Sequence, residues 1–155
     1  MLSFLRLSLL ATVGCLSLTA CKKEEEEGLS RKELLQRAHW QVRELYVQTN
    51  GQKGHDFYAN YQPCKRDNDW VFQAAGTYLH QEGPTRCAEN DPDYYGGQWQ
   101  LTENLSQNTA QLRIKSDREV ETAVWDIISL DKTTLSLEMP TAQAGSKYVW
   151  ILQAL

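Results

Sequence analysis

The sequence has little of what most function classes need. Its 155 residues hold 4 cysteines and 3 histidines, with no Cys-x-x-Cys, His-x-His or His-Glu-x-x-His spacing. Nothing in it is therefore arranged as a zinc or dithiol-redox site. A Gly-x-Ser-x-Gly elbow and a phosphate-cradling glycine loop are both absent, so neither of those catalytic frameworks is present. Positive charge is also scarce. Sixteen Lys and Arg face 20 Asp and Glu, a formal net charge of −4, which argues against non-specific binding to nucleic acid. The longest apolar stretch, residues 7–18, has 12 residues. A helix crossing the ~30 Å hydrocarbon core needs about 20. With a mean hydropathy of −0.55, a multi-span membrane protein is excluded, and five Trp with seven Tyr exclude disorder of the whole chain. The length suits one ordinary globular domain.

What is present begins with an address. Arg6 supplies a short positive region before the apolar stretch, which ends in Leu18-Thr19-Ala20-Cys21. That run resembles a bacterial lipobox, and the resemblance implies cleavage after Ala20 and acylation of Cys21, the lipid attachment residue. Cys15 fits less well, because Thr12 stands where the aliphatic residue belongs. Residues 1–20 are thus read as a signal peptide, 21–29 as an acidic tether and 30–155 as the folded domain. Lys22-Lys23 followed by Glu24 to Glu27 reads as a solvated, self-repelling spacer. It also resembles the surface-export signal of Bacteroidetes lipoproteins. The implied location is the outer membrane, lipid-anchored, at the cell surface or else facing the periplasm. Loss of the leader removes Arg6 and no acid, leaving a balance of −5.

The rest reads as strands. Ser30 with Glu33 forms a capping box, and Leu34, Leu35 and Ala38 give one helical face over 31–38, expected to plug or cover one end of the domain. Eight strand-like segments come after it, at 40–48, 69–74, 77–81, 98–103, 110–115, 122–129, 134–139 and 147–153. Asn50 to Gly54 reads as a turn, and Gly96-Gly97 as a strand entry or bulge. Short polar links and the lack of intervening helices of ten or more residues disfavour parallel βαβ units. An antiparallel meander of eight strands closes on itself and so removes exposed edges. One phase collects Trp40, Val42, Trp70, Phe72, Trp99, Leu101, Leu112, Ile114, Trp125, Ile127, Leu135 and Leu137, with polar residues such as Gln100, Arg113 and Asp126 between them. The last strand alternates badly and is expected to be covered on both faces, with the N-terminal helix as the candidate cover.

These residues resemble a family. The lipobox, the short helix leading into Trp40, the Cys64 to Cys87 stretch with Trp70-Val71-Phe72 and Gly76-Thr77-Tyr78, Gly97-Gln98-Trp99-Gln100-Leu101 and Trp125-Asp126-Ile127-Ile128-Ser129-Leu130 are similar to the lipocalin-like domain lipoproteins of Bacteroidetes. The resemblance covers about residues 34–152. It implies an all-β fold, an eight-stranded antiparallel up-and-down barrel, and leaves the ligand open.

An exported context makes a Cys64–Cys87 disulfide the default reading of the two remaining thiols. A metal or redox pair is the alternative. Asp91-Pro92-Asp93-Tyr94-Tyr95-Gly96 mimics the start of a calcium loop, but Tyr95 and Thr102 occupy ligand positions. A solvated acidic loop is favoured, and no metal, cofactor or catalytic residue is assigned. Large side chains at nearly every inward position favour a filled or narrow interior. Where it is open, the cavity-lining candidates are Trp40, Trp70, Phe72, Trp99, Leu101, Trp125 and Ile127. The expected activity is non-catalytic binding of a small hydrophobic ligand. The alternative is an envelope interaction protein acting through its loops, such as a lysozyme or protease inhibitor or an accessory subunit of a surface complex; the acidic balance suits a basic protein partner.

Overall fold

The computed structural model describes residues 28–155. The expected leader, the expected lipidation residue Cys21 and the expected spacer up to Glu27 lie outside the described residues. Helix α1 (Arg31–Gln36) starts as its sequence dictates. Ser30 N donates to Glu33 Oε2 at 2.8 Å, and Glu33 N donates to Ser30 Oγ at 3.3 Å, closing the capping box. It stops at Gln36, two residues before Ala38, and the chain turns into the first strand.

Nine strands complete the domain: β1 (His39–Thr49), β2 (Gln52–Asp56), β3 (Asp69–Phe72), β4 (Thr77–Gln81), β5 (Tyr94–Asn104), β6 (Thr109–Ser116), β7 (Thr122–Leu130), β8 (Thr134–Pro140) and β9 (Ser146–Ala154). Each pairs antiparallel with its neighbour, and β1 returns to pair with β9 from Trp40↔Ala154 to Thr49↔Ser146. This pairing closes the barrel. Eight positions make the ring, because β2 and β3 share one edge of β1. β3 takes its start (His39↔Val71, Gln41↔Asp69) and β2 its end (Tyr46↔Asp56, Thr49↔Gln52).

β2 is the strand that the sequence pattern does not announce. The Asn50-Gly51 turn has φ of 50° and 81°, the backbone that a two-residue hairpin requires. The strand itself, Gln-Lys-Gly-His-Asp, is polar and largely exposed. It is held mainly by backbone pairing and has no alternation to read. Between β2 and β3 lie a 3-10 turn (Tyr58–Asn60) and the four-residue helix α2 (Pro63–Arg66).

Strand direction separates two ends. The β3–β4, β5–β6 and β7–β8 turns, α1 and the C-terminus gather at one. Arg31 fixes α1 there, its Nη1 3.1 Å from Glu103 Oε1 and its Nη2 2.7 Å from Asn108 Oδ1. Leu155 N donates to His39 O, and Ala154 N to Thr133 O. The helix therefore covers one end of the barrel, packing on β3 and β7. Trp40 is fully buried at that end, and its Nε1 donates to Leu35 O at 2.9 Å.

All twelve residues of the apolar phase lie in the core or pack against it. In β9, Val149 is buried on the outer face, where the ladders set it between Tyr46 and Glu138. This explains its failed alternation, although the helix lies elsewhere. Gly96 and Gly97 are neither entry nor bulge. They pair regularly with Leu79 and Tyr78 and let the strands crowd together. A Cβ on Gly96 would stand 2.6 Å from Tyr78 O, and one on Gly97 would run into the Lys115 carbonyl. A real bulge falls instead at Ile128, where the β7–β8 register shifts and the side chain turns outward, 55% exposed.

Candidate functional site

The other end of the barrel is hollow. A cavity of about 430 Å3 opens between β1, the segment 57–68, the β4–β5 loop and the β6–β7 turn, with Tyr58, Tyr61, Trp70, His80, Tyr95 and Trp150 among its walls. A second cavity, of about 330 Å3, lies against β5 to β9, walled by Phe72, Tyr78, Ile114, Trp125, Leu137 and Leu152. Trp70, Tyr95 and Trp150 border both. Together the two fall within the size range of small-molecule sites. The barrel is thus filled in the half around Trp40 and open in the other, so the expectation of a filled interior holds for one half only.

The ring contacts run continuously through this region. Trp70 stacks on Tyr78 at 5.3 Å and 17°, meets His80 at 4.9 Å and touches Trp150 edge-on at 6.0 Å. Trp150 continues to Trp125 at 4.9 Å, and His80 to the edge of Tyr95 at 4.5 Å. The register explains the stacking. Trp70 and His80 are direct partners across β3 and β4, and Leu45 and Trp150 across β1 and β9. Paired residues share a face, so alternation in the five strands β3, β4, β5, β7 and β9 delivers these rings to one place.

The polar groups are few and placed at the rim. Cys64 on α2 is bonded to Cys87 in the β4–β5 loop, and Cys87 itself borders the larger cavity. The loop is stapled further: Gly83 N donates to Asn68 Oδ1 at 3.0 Å, Thr85 N to Asp67 Oδ2 at 2.9 Å, and Arg86 pairs with Asp93. Glu82 Oε1 accepts from Asn68 Nδ2 at 3.3 Å, while its Oε2 meets no donor. His80 Nδ1 is likewise buried without a partner. Arg118 sits over the Tyr95 ring, 4.4 Å from its centre.

Burial governs the titration of this wall. It pushes the Tyr95 hydroxyl up to about 12 and raises that of Tyr78. For His80, burial outweighs the nearby Asp69 carboxylate and lowers its pKa from 6.5 to about 4. At neutral pH the ring is therefore uncharged. The unfolded chain takes up this proton first, so the contribution is fully present above pH 6.5 and is lost as the pH falls from there to about 4. Unfolding free energies from urea titrations across that window should fall with a slope of up to about 1.4 kcal/mol per pH unit from this group. His80→Phe should flatten that part of the curve; an unchanged slope in the variant would remove His80 as its source.

Of the residues singled out from sequence, Trp70, Phe72 and Trp125 border the cavities. Trp40 does not, because it is the plug of the filled end. Trp99 is 7% exposed with Nε1 bonded to Gln73 O at 3.0 Å, at the β3–β4 turn of that same end. Leu101 and Ile127 pack against the core near the β5–β6 hairpin and reach neither cavity. The alternating pattern marks inward residues at every height, and only the upper ones see open space. Tyr95, Trp150, Tyr78, His80 and Glu82 are not legible in the sequence as site residues. Trp150 belongs to the ambiguous last strand, and Tyr95 stands beside two glycines. Around Asp91 no metal cluster forms: among the described residues, no three His, Cys, Asp or Glu side chains are placed to hold an ion.

No protein-family model matches this sequence, and no curated protein is similar to it. Among solved structures, the chain is similar to bovine odorant binding protein in complex with a selenium-containing odorant, with 18% identity, a TM-score of 0.38, and 86% of this chain and 77% of that one covered.

Proposed function

We propose that this chain is a membrane-anchored bacterial lipoprotein whose domain, residues 30–155, binds a small hydrophobic ligand and performs no catalysis. The observation that carries the binding reading is the pair of aromatic-walled cavities meeting at Trp70, Tyr95 and Trp150. Apolar walls with a few polar groups at the rim are what a pocket needs to take up apolar surface and fix its orientation. The anchoring reading draws on the lipobox-like Leu18-Thr19-Ala20-Cys21 and the acidic spacer behind it. Two or more acyl chains anchor stably where one binds only marginally, at about 0.8 kcal/mol per buried methylene. An outer-membrane, surface-facing location is read from the same segment, as is kinship with the Bacteroidetes lipoproteins it resembles.

Mass spectrometry of the full chain tests both parts. Protein taken from its host membrane should carry acyl mass on Cys21 that Cys21→Ser removes. Native spectra after incubation with a host lipid extract should show one discrete adduct. An unacylated Cys21 would overturn the anchor. A clean apo mass across several extracts would overturn the ligand and move attention to a protein partner at the loops, where Val120 stands 96% exposed.

A further inference from the structure

The larger cavity has a chemical bias that its apolar walls alone do not give. Its rings, Tyr58, Tyr61, Trp70, Tyr95 and Trp150, surround a space bordered by Glu82. Glu82 lies just past the end of β4, and its backbone is fixed by the bond from its N to Asp93 O at 2.9 Å. One carboxylate oxygen takes the Asn68 amide; the other is buried and has no donor. Half-buried carboxylate oxygens left unpaired are costly, and a cation is the partner that relieves the cost most. His80 adds no compensating positive charge at neutral pH.

Aromatic faces are the second half of such a site, because the ring quadrupole attracts cations. One wall of this cavity already does so, since the Arg118 guanidinium lies over Tyr95. Lys65 and Arg118 border the cavity as well, but both are on exposed segments, where water and salt screen them. Glu82 is half-buried among the rings. The negative charge is therefore the one placed where electrostatics acts strongly.

We infer that the ligand is a cationic amphiphile: an amine-type head group, primary or quaternary, held in the larger cavity by Glu82 and the surrounding rings, with its apolar part in the neighbouring cavity bounded by Trp125 and Leu152. This rests on the binding reading above and names the class of ligand within it. The two cavities share Trp70, Tyr95 and Trp150 as a border, so one molecule with a polar head and an apolar tail can occupy both.

Three probes of equal chain length separate the ideas: dodecyltrimethylammonium, dodecyl maltoside and dodecyl sulfate, each titrated below its micelle concentration into the full chain with its disulfide formed. Tryptophan fluorescence reports binding, since Trp70 and Trp150 form the walls. The cation should bind about tenfold more tightly than the neutral probe, and the anion more weakly than either. Glu82→Gln should bring the cation down to the affinity of the neutral probe. Because the three-probe comparison is made on the unaltered chain, it stands even where the variant folds poorly. Equal binding of cation and neutral probe, or preference for the anion, would overturn the cationic head group while leaving an apolar ligand standing. Binding of none of the three would remove both.

Discussion

Replacing Trp40 by alanine is expected to cost about 3–5 kcal/mol, the range for deleting a large aromatic from a packed core. Trp40 is fully buried at the filled end of the barrel, and its Nε1 is the donor to Leu35 O. The substitution opens a void beneath α1 and strands that carbonyl. Leu35 is itself fully buried, so the helix loses its seat as well as its hydrogen bond. A domain of this size has only about 5–15 kcal/mol to lose, and the variant should unfold at far lower urea concentration. Trp40→Phe separates the two contributions. It keeps most of the apolar contact and loses the hydrogen bond, for about 1–3 kcal/mol. If urea midpoints followed by circular dichroism place Trp40→Ala within about 1 kcal/mol of the parent, well below the cavity range, the filled end does not depend on this residue and the packing described for it is wrong.

The second large effect belongs to the disulfide. Cys64 and Cys87 are 23 residues apart, and opening a loop of that length releases about 3 kcal/mol of entropy to the unfolded chain. The double substitution Cys64→Ala with Cys87→Ala should lower the urea midpoint accordingly. Strand content should survive, because the bond joins α2 to the β4–β5 loop and crosses no rung of the barrel ladder. The polar staples from Asn68 to Gly83 and from Asp67 to Thr85 remain. Reductant should reproduce the loss in the parent chain and do nothing to the double variant. An unchanged midpoint in the variant would show that those staples alone define the rim.

Most of the ring is legible in the sequence because a closed barrel writes itself as alternation. Leu112, Ile114, Trp125, Leu135 and Leu137 each face inward at period two, and the structure puts all of them in the core. The capping box at Ser30 is equally readable, since its partner lies three residues away. What escapes is structure without an apolar face. β2 is polar on both faces, and Gly96 and Gly97 are in a strand because nothing larger fits between Tyr78 and Lys115. The site is only partly legible for a different reason. Alternation tells which way a side chain points but not how far along the barrel axis it sits. Trp40 and Trp125 share a phase, yet one is buried at the filled end and the other is a cavity wall. Glu82 and His80 matter through missing partners, and a missing hydrogen bond leaves no mark in a sequence.

The pinning of α1 sets how the domain stands. Arg31 holds the start of the domain against Glu103 and Asn108, on the side where the barrel is filled, while the cavities open at the opposite pole. A tether joined to the chain before Arg31 would therefore reach the domain at its filled pole, opposite the mouth of the larger cavity.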